Sequence, residues 1–125
     1  MTGISEFLGI VKTQLARAEF AYKAYIDSGK IFLYAKILKD VNDSLRFLLV
    51  HKTHLLPPEQ IKNSLSLIHH IDVWSTVWED AYALQKPSLK SVFTFENTVN
   101  FPRHEVFLLL SYCEKNFDFD DLHSV

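Results

Sequence analysis

Apolar residues recur every three or four positions along most of this chain, and the places where that rhythm breaks mark out four helices. From Ser5 to about Ser28, the residues Phe7, Leu8, Val11, Leu15, Ala18, Tyr22, Tyr25 and Ile26 form one stripe, and Gly29 supplies a stop. A second strip on the same helix gathers Ile10, Phe20, Ala21 and Ala24. The helix therefore either lies between two layers or offers Ile10 and Phe20 to a partner.

The segment from Lys30 to about His51 repeats the pattern with Ile31, Tyr34, Ala35, Leu38, Val41, Leu45, Leu48 and Leu49, and Pro57-Pro58 forces a break after it. Asn42 interrupts this arc, either at its solvent edge or as a buried amide that selects a helix partner. Pro58 then suits the first position of a third helix running to about Gln85, with Glu59 near its positive end. Its apolar face begins at Ile61, Leu65 and Ile68 and drifts to Leu67, Ile71, Trp74, Trp78, Ala81 and Tyr82, so its two ends face different neighbours.

Between Lys86 and Phe101 periodicity does not choose between helix, strand and loop. Phe93, Phe95, Val99 and Phe101 must bury some of their rings, which predicts a long connection pinned to the bundle by aromatics. Pro102 opens a last helix to about Lys115. Its run Val106-Phe107-Leu108-Leu109-Leu110 points all round the wheel and predicts cover on both sides. The expected fold is all-α: a single domain over residues 1–125, packed from about 5 to 115, with 116–125 as a flexible acidic tail. It is an up-and-down bundle of four main helices with a long aromatic-rich connection between the third and fourth.

Composition agrees. With 48% hydrophobic residues, three glycines and four prolines, the chain has material for a core but too few turn residues for a many-stranded sandwich. A net charge of −2 offers no field to gather a polyanion, which argues against nucleic acid as a partner. The charge is uneven, with residues 1–57 carrying eight Lys and Arg against five Asp and Glu, and residues 58–125 five against ten. The two halves either complement each other inside the bundle or steer a charged partner. Cys113 is the only cysteine, Met1–Gly9 contains the acidic Glu6, and no apolar run approaches a membrane span. These point to a cytoplasmic protein that avoids membranes.

Candidate chemistry is densest in Leu67–Leu84, which holds both tryptophans, the adjacent His69 and His70, and three carboxylates. Neighbours on a helix point about 100° apart, so the two histidines cannot chelate one metal from one face. His69 shares a side with Asp72, as a base with its orienter or a solvated pair; His70 shares a side with Trp74 and reads as a core-edge histidine. Trp74, Trp78 and Tyr82 make the largest aromatic stripe, which is either core or a partner-binding surface. The Glu-x-x-His pair of di-iron bundles, a Gly-rich phosphate loop, Cys-x-x-Cys and His-Glu-x-x-His are all missing. Val73 and Trp74 crowd the place where a phosphotransfer histidine needs room.

Arg46-Phe47-Leu48-Leu49-Val50-His51 has an Arg followed, after four residues, by a His. In that spacing it resembles the HEPN superfamily, whose helical-bundle members include metal-independent ribonucleases of toxin and defence systems. The resemblance implies a dimer in which His51 moves the proton of a 2′-hydroxyl and Arg46 holds the scissile phosphate. It rests on these two positions, and Phe47 stands where that family commonly has a polar residue.

The function expected is that of a small non-catalytic interaction or regulatory protein. It would bind a protein partner, or itself as a homodimer, through Trp74, Trp78 and Tyr82 or through Ile10 and Phe20, with no cofactor and no metal. A HEPN-like ribonuclease using Arg46 and His51 is one alternative, and a binder of a small hydrophobic ligand is another.

Overall fold

The computed structural model describes residues 2–96 and 100–124, with side chains for 3–96 and 100–115. It contains α1 (Thr2–Asp27), α2 (Phe32–Lys52), α3 (Pro58–Gln85) and α4 (Arg103–Ser124), plus one turn of 3-10 helix at Thr53–Leu55. Each helix packs on the next, and α4 closes back on α1, which completes the ring of an up-and-down bundle.

The corners follow from local chemistry. Gly29 takes φ +82°, its N–H donates to the Ile26 carbonyl at 3.2 Å, and the Lys30 N–H reaches the Tyr25 carbonyl at 2.8 Å. These are the two bonds of a Schellman cap, which terminates α1 where a residue without Cβ is present. At the next corner Pro57 is extended and Pro58 starts α3. The hydroxyls of Thr53 and Ser64, both buried, share a 2.6 Å hydrogen bond across the turn.

Burial follows a three–four alternation more closely than a 3.6-residue stripe. On α3 it runs Ser64, Leu67, Ile71, Trp74, Trp78; on α4 Val106, Leu109, Cys113; on α1 Phe7, Val11 and Ala21, with half-buried Gln14 and Ala18 between. This three–four spacing is that of a heptad seam, with Leu8, Asn63 and His70 buried beside it. It explains why Ala21, assigned by the sequence pattern to the outer strip of α1, is inside, while Tyr22 and Ile26, assigned to the core stripe, are outside. A seven-residue seam slips by about 20° per heptad from a straight 3.6-residue stripe, and by the third turn the two pick different residues. Leu65, expected on the apolar face of α3, is likewise exposed.

The core has two tiers. The lower unites all four helices through Phe7, Leu8, Val11, Leu45, Leu49, Leu67, Ile71, Val106, Leu109 and Cys113. The upper contains Phe32, Ala35, Trp74, Trp78 and Phe93, and, among the described residues, none of α4. Here the α3–α4 connection takes the fourth helix's place: Phe93 is fully buried and Phe95 packs beside it.

Backbone bonds fasten this strap. The N-cap of α2, Ile31, has no side-chain cap; instead the N–H of Phe32 donates to the Ser91 carbonyl (2.8 Å) and that of Leu33 to the Leu89 carbonyl (3.0 Å). The Phe93 N–H returns to the Lys30 carbonyl (2.9 Å), Ile31 and Val92 form one antiparallel bridge, and the Tyr25 hydroxyl donates to the Phe93 carbonyl. The aromatic pinning expected from the sequence is present at Phe93 and Phe95. Phe101 is exposed, and Val99 lies outside the described residues.

One expectation changes at α4. Val106 and Leu109 are buried, but Phe107 is 65% exposed and Leu108 is also outside, so the helix is peripheral and covered on one side only. An apolar run of five covers every direction of the wheel, and the pattern alone cannot say which directions meet protein. The backbone of α4 also continues to Ser124, through most of the segment expected to be a tail; the side chains of Phe117, Phe119 and Leu122 lie outside the described residues.

Phe93→Ala should lower the free energy of unfolding by about 3–5 kcal/mol, the range for truncating a buried aromatic. Phe101→Ala, at an exposed ring, should cost about 1 kcal/mol or less. Urea denaturation followed by circular dichroism checks both.

Candidate functional site

The upper tier divides the aromatic stripe of α3. Trp74 and Trp78 are 8% and 6% exposed, whereas Tyr82 is 46% exposed. Phe93 lies 5.2 Å from the Trp78 ring, and Phe95 meets Trp74 edge-on at 6.1 Å, so the strap covers the two indoles. Tyr82 stacks nearly parallel on Trp78 at 5.5 Å and on Phe32 at 5.6 Å, closing the cluster from outside. The partner-binding reading of Trp74 and Trp78 is therefore corrected to a core role, and of the three only Tyr82 has surface to give. The covering residues belong to a segment whose conformation periodicity leaves open, so α3 on its own wheel does not reveal the burial.

A charged group within this tier went unnoticed in the sequence. Lys39 is buried on α2; its Nζ lies 5.7 Å from the Trp78 ring centroid, 2.8 Å from Asp43 and 3.4 Å from Glu79 on α3. Two carboxylates and a ring face replace the water that a buried ammonium loses. The available signal was Asp43 four residues after a lysine set in an apolar arc.

Lower on α3 the polar edge is arranged differently from its sequence reading. Asp72 accepts a hydrogen bond from Nε of Arg46 on α2, so its carboxylate orients a guanidinium and not His69. His69 is exposed and borders an open groove of about 680 Å³ with Lys62, Ser66, His70, Asn100 and Pro102. His70 is buried, with its ring edge-to-face on Phe101 at 5.2 Å and its Nδ1 without a partner among the described residues. Burial lowers its pKa below the usual 6.5; a hydrogen bond to the Asn100 backbone opposes the shift, and the neighbouring His69 adds to it.

Arg46 and His51 are not brought together. They sit five residues apart on one helix, about 140° round its axis. Arg46 turns to α3 and Asp72, while His51 stacks on Phe47 at 4.1 Å with its Nδ1 2.8 Å from the Phe47 carbonyl of its own helix. Cys113 is buried in the lower tier. Desolvation pushes its thiol up to about 12, so it packs as a small apolar group and not as a nucleophile. Among the described residues no three His, Cys, Asp or Glu side chains converge as metal ligands, and no helix is long and apolar enough to cross a membrane.

The other two candidates, Ile10 and Phe20, are both on the surface, Phe20 82% exposed. At the strapped end, beside Tyr82, three residues the sequence reading left unassigned, Leu33, Leu89 and Val92, are also exposed. Their backbones are tied by the Leu33–Leu89 hydrogen bond and the Ile31–Val92 bridge, and Tyr82 stacks on the intervening Phe32. In comparisons with protein-family models, curated proteins and solved structures, nothing matches this chain.

His70 makes stability depend on pH. Its folded pKa is depressed, so below 6.5 the unfolded chain takes up a proton that the folded chain refuses. Stability present above pH 6.5 should be lost progressively as pH falls from there through the folded pKa. In His70→Phe this loss should be reduced, as read from urea midpoints at pH 7.5 and 5.

Proposed function

We propose that this protein is a non-catalytic interaction module that binds a protein partner, a second copy of the chain being one such partner. The supporting observation is the exposed apolar group Leu33, Leu89, Val92 and Tyr82, which is built on backbone bonds and therefore held in fixed shape. A preformed apolar centre with a charged rim, here Lys30, Lys86 and Lys90, is the usual anatomy of a protein interface. Tyr82 is the anchor of this surface: its ring is rigid because two aromatic rings already stack on it. A reducing, cytoplasmic setting suits the buried free thiol of Cys113.

The ribonuclease reading has less support. Arg46 already holds a carboxylate in the place a phosphate would take, and His51 is engaged with its own helix. Cleavage of RNA by the wild-type chain, abolished in His51→Ala, would restore it.

Self-association is the direct test. In sedimentation equilibrium the wild-type chain should dimerise at high concentration, and Leu89→Glu combined with Val92→Glu should stay monomeric with unchanged helix content. A wild-type monomer at every concentration excludes the second copy and leaves a different protein. In-cell crosslinking from a photoreactive side chain at position 92 then has to trap a single defined partner, and failure of that too would sink the proposal.

A further inference from the structure

A pocket of about 200 Å³, partly open to solvent, is bordered by α1, α2, α3 and the strap in the upper tier. Its floor is mostly aromatic, with Tyr25 from α1, Leu38 from α2, Trp74 and Trp78 from α3 and Phe95 from the strap, and its rim is formed by the exposed Tyr22, Ile26, Lys30 and Thr94. An apolar cavity of about 150 Å³ suffices to hold benzene, so one six-membered ring with a small substituent fits here.

Two polar features reach this cavity. Lys30 stands at its edge, where the Schellman cap holds it at φ 68°, and no carboxylate among the described residues pairs with it. Trp78, 94% buried and part of the wall, has an indole N–H with no hydrogen-bond partner among the described residues. The Tyr25 hydroxyl is already committed to the Phe93 carbonyl, which leaves Lys30 as the charged donor at the rim. A buried donor without a partner costs free energy that an acceptor would return.

We infer that this cavity is a binding site for a small monocyclic aromatic carboxylate, its ring among Trp74, Trp78 and Phe95 and its carboxylate directed to Lys30. Aromatic walls select a flat ring by edge and face contacts. A single unpaired ammonium at the edge selects a monoanion over a neutral ring, and a cationic analogue is repelled. The site shares Lys30 with the rim of the outer patch but needs no partner there, so benzoate binding by the isolated chain tests it independently of the partner reading.

The probe is benzoate, with toluene and benzylamine as neutral and cationic counterparts. The readout is the pair of indole N–H resonances in ¹H–¹⁵N spectra of the full chain, which contains two tryptophans. Benzoate should shift the Trp78 resonance saturably, toluene more weakly, and benzylamine not at all. Lys30→Gln should weaken benzoate about fivefold, the order of one partly exposed ion pair, and leave toluene unchanged. No saturable shift with benzoate, or equal binding of benzoate and benzylamine by the wild type, overturns the assignment. The wild-type comparison stands even if Lys30→Gln fails to fold. Benzoate binding unchanged in a folded Lys30→Gln chain overturns the acid specificity.

Discussion

The first amides of α2 have no side chain to receive them, and that one shortage shapes the upper half of the molecule. A helix begins with four N–H groups that its own carbonyls cannot satisfy. The residue before α2 is Ile31, which has no oxygen in its side chain, so the Phe32 and Leu33 amides take the Ser91 and Leu89 carbonyls instead. Those carbonyls are within reach only if the α3–α4 connection crosses the top of the bundle. Once it does, Phe93 drops into the space between Phe32 and Trp78, and the Phe93 amide closes the loop on Lys30. Capping and core filling are thus one event, and the removal of either leaves the other unsupported.

The strap also sets the chemistry of what it covers. Trp74 and Trp78 become core, and Lys39 is enclosed between the Trp78 ring and the carboxylates of Asp43 and Glu79. Such an arrangement fixes the register of α2 against α3 more than it adds stability, because an ammonium in low dielectric loses nearly as much hydration energy as its partners return. The lower tier needs no such device. Its four helices meet mainly through aliphatic side chains and Phe7, and the buried hydroxyls of Thr53 and Ser64 nearby bond each other.

Much of the fold was legible because the signals were local. Gly29 and Pro57-Pro58 end helices by steric rules that involve only their neighbours in sequence, and Pro102 announces α4 in the same way. The strap was legible only as a demand, since four aromatic or apolar side chains in a row of loop residues must bury some of themselves. Its route depends on backbone carbonyls that have no residue-type signature. The outward turn of Tyr22 and Ile26 was hidden for another reason: over α1 a 3.6-residue stripe and a heptad seam agree at Phe7 and Val11 but part by Ala21. The candidate chemistry was least legible of all. Asp72 looked like an orienter for His69, three residues away, but its guanidinium partner, Arg46, is 26 residues distant on another helix.

Both proposed sites lie at the end of the molecule that is least redundantly held. In the lower tier four helices share the burial, so opening any part exposes much of the core. In the upper tier three helices and a short irregular segment border a partly open pocket, and the segment is retained by a few hydrogen bonds and by Phe93 and Phe95. Sites that admit another molecule are drawn from such regions because local opening there costs less than global unfolding. A ring entering the cavity fills space beside Trp74, Trp78 and Phe95; a protein on Leu33, Leu89 and Val92 presses on the outside of the same strap. Each would favour the strapped state, so the two binding events share one equilibrium, and occupancy of either should raise the affinity for the other in equal measure.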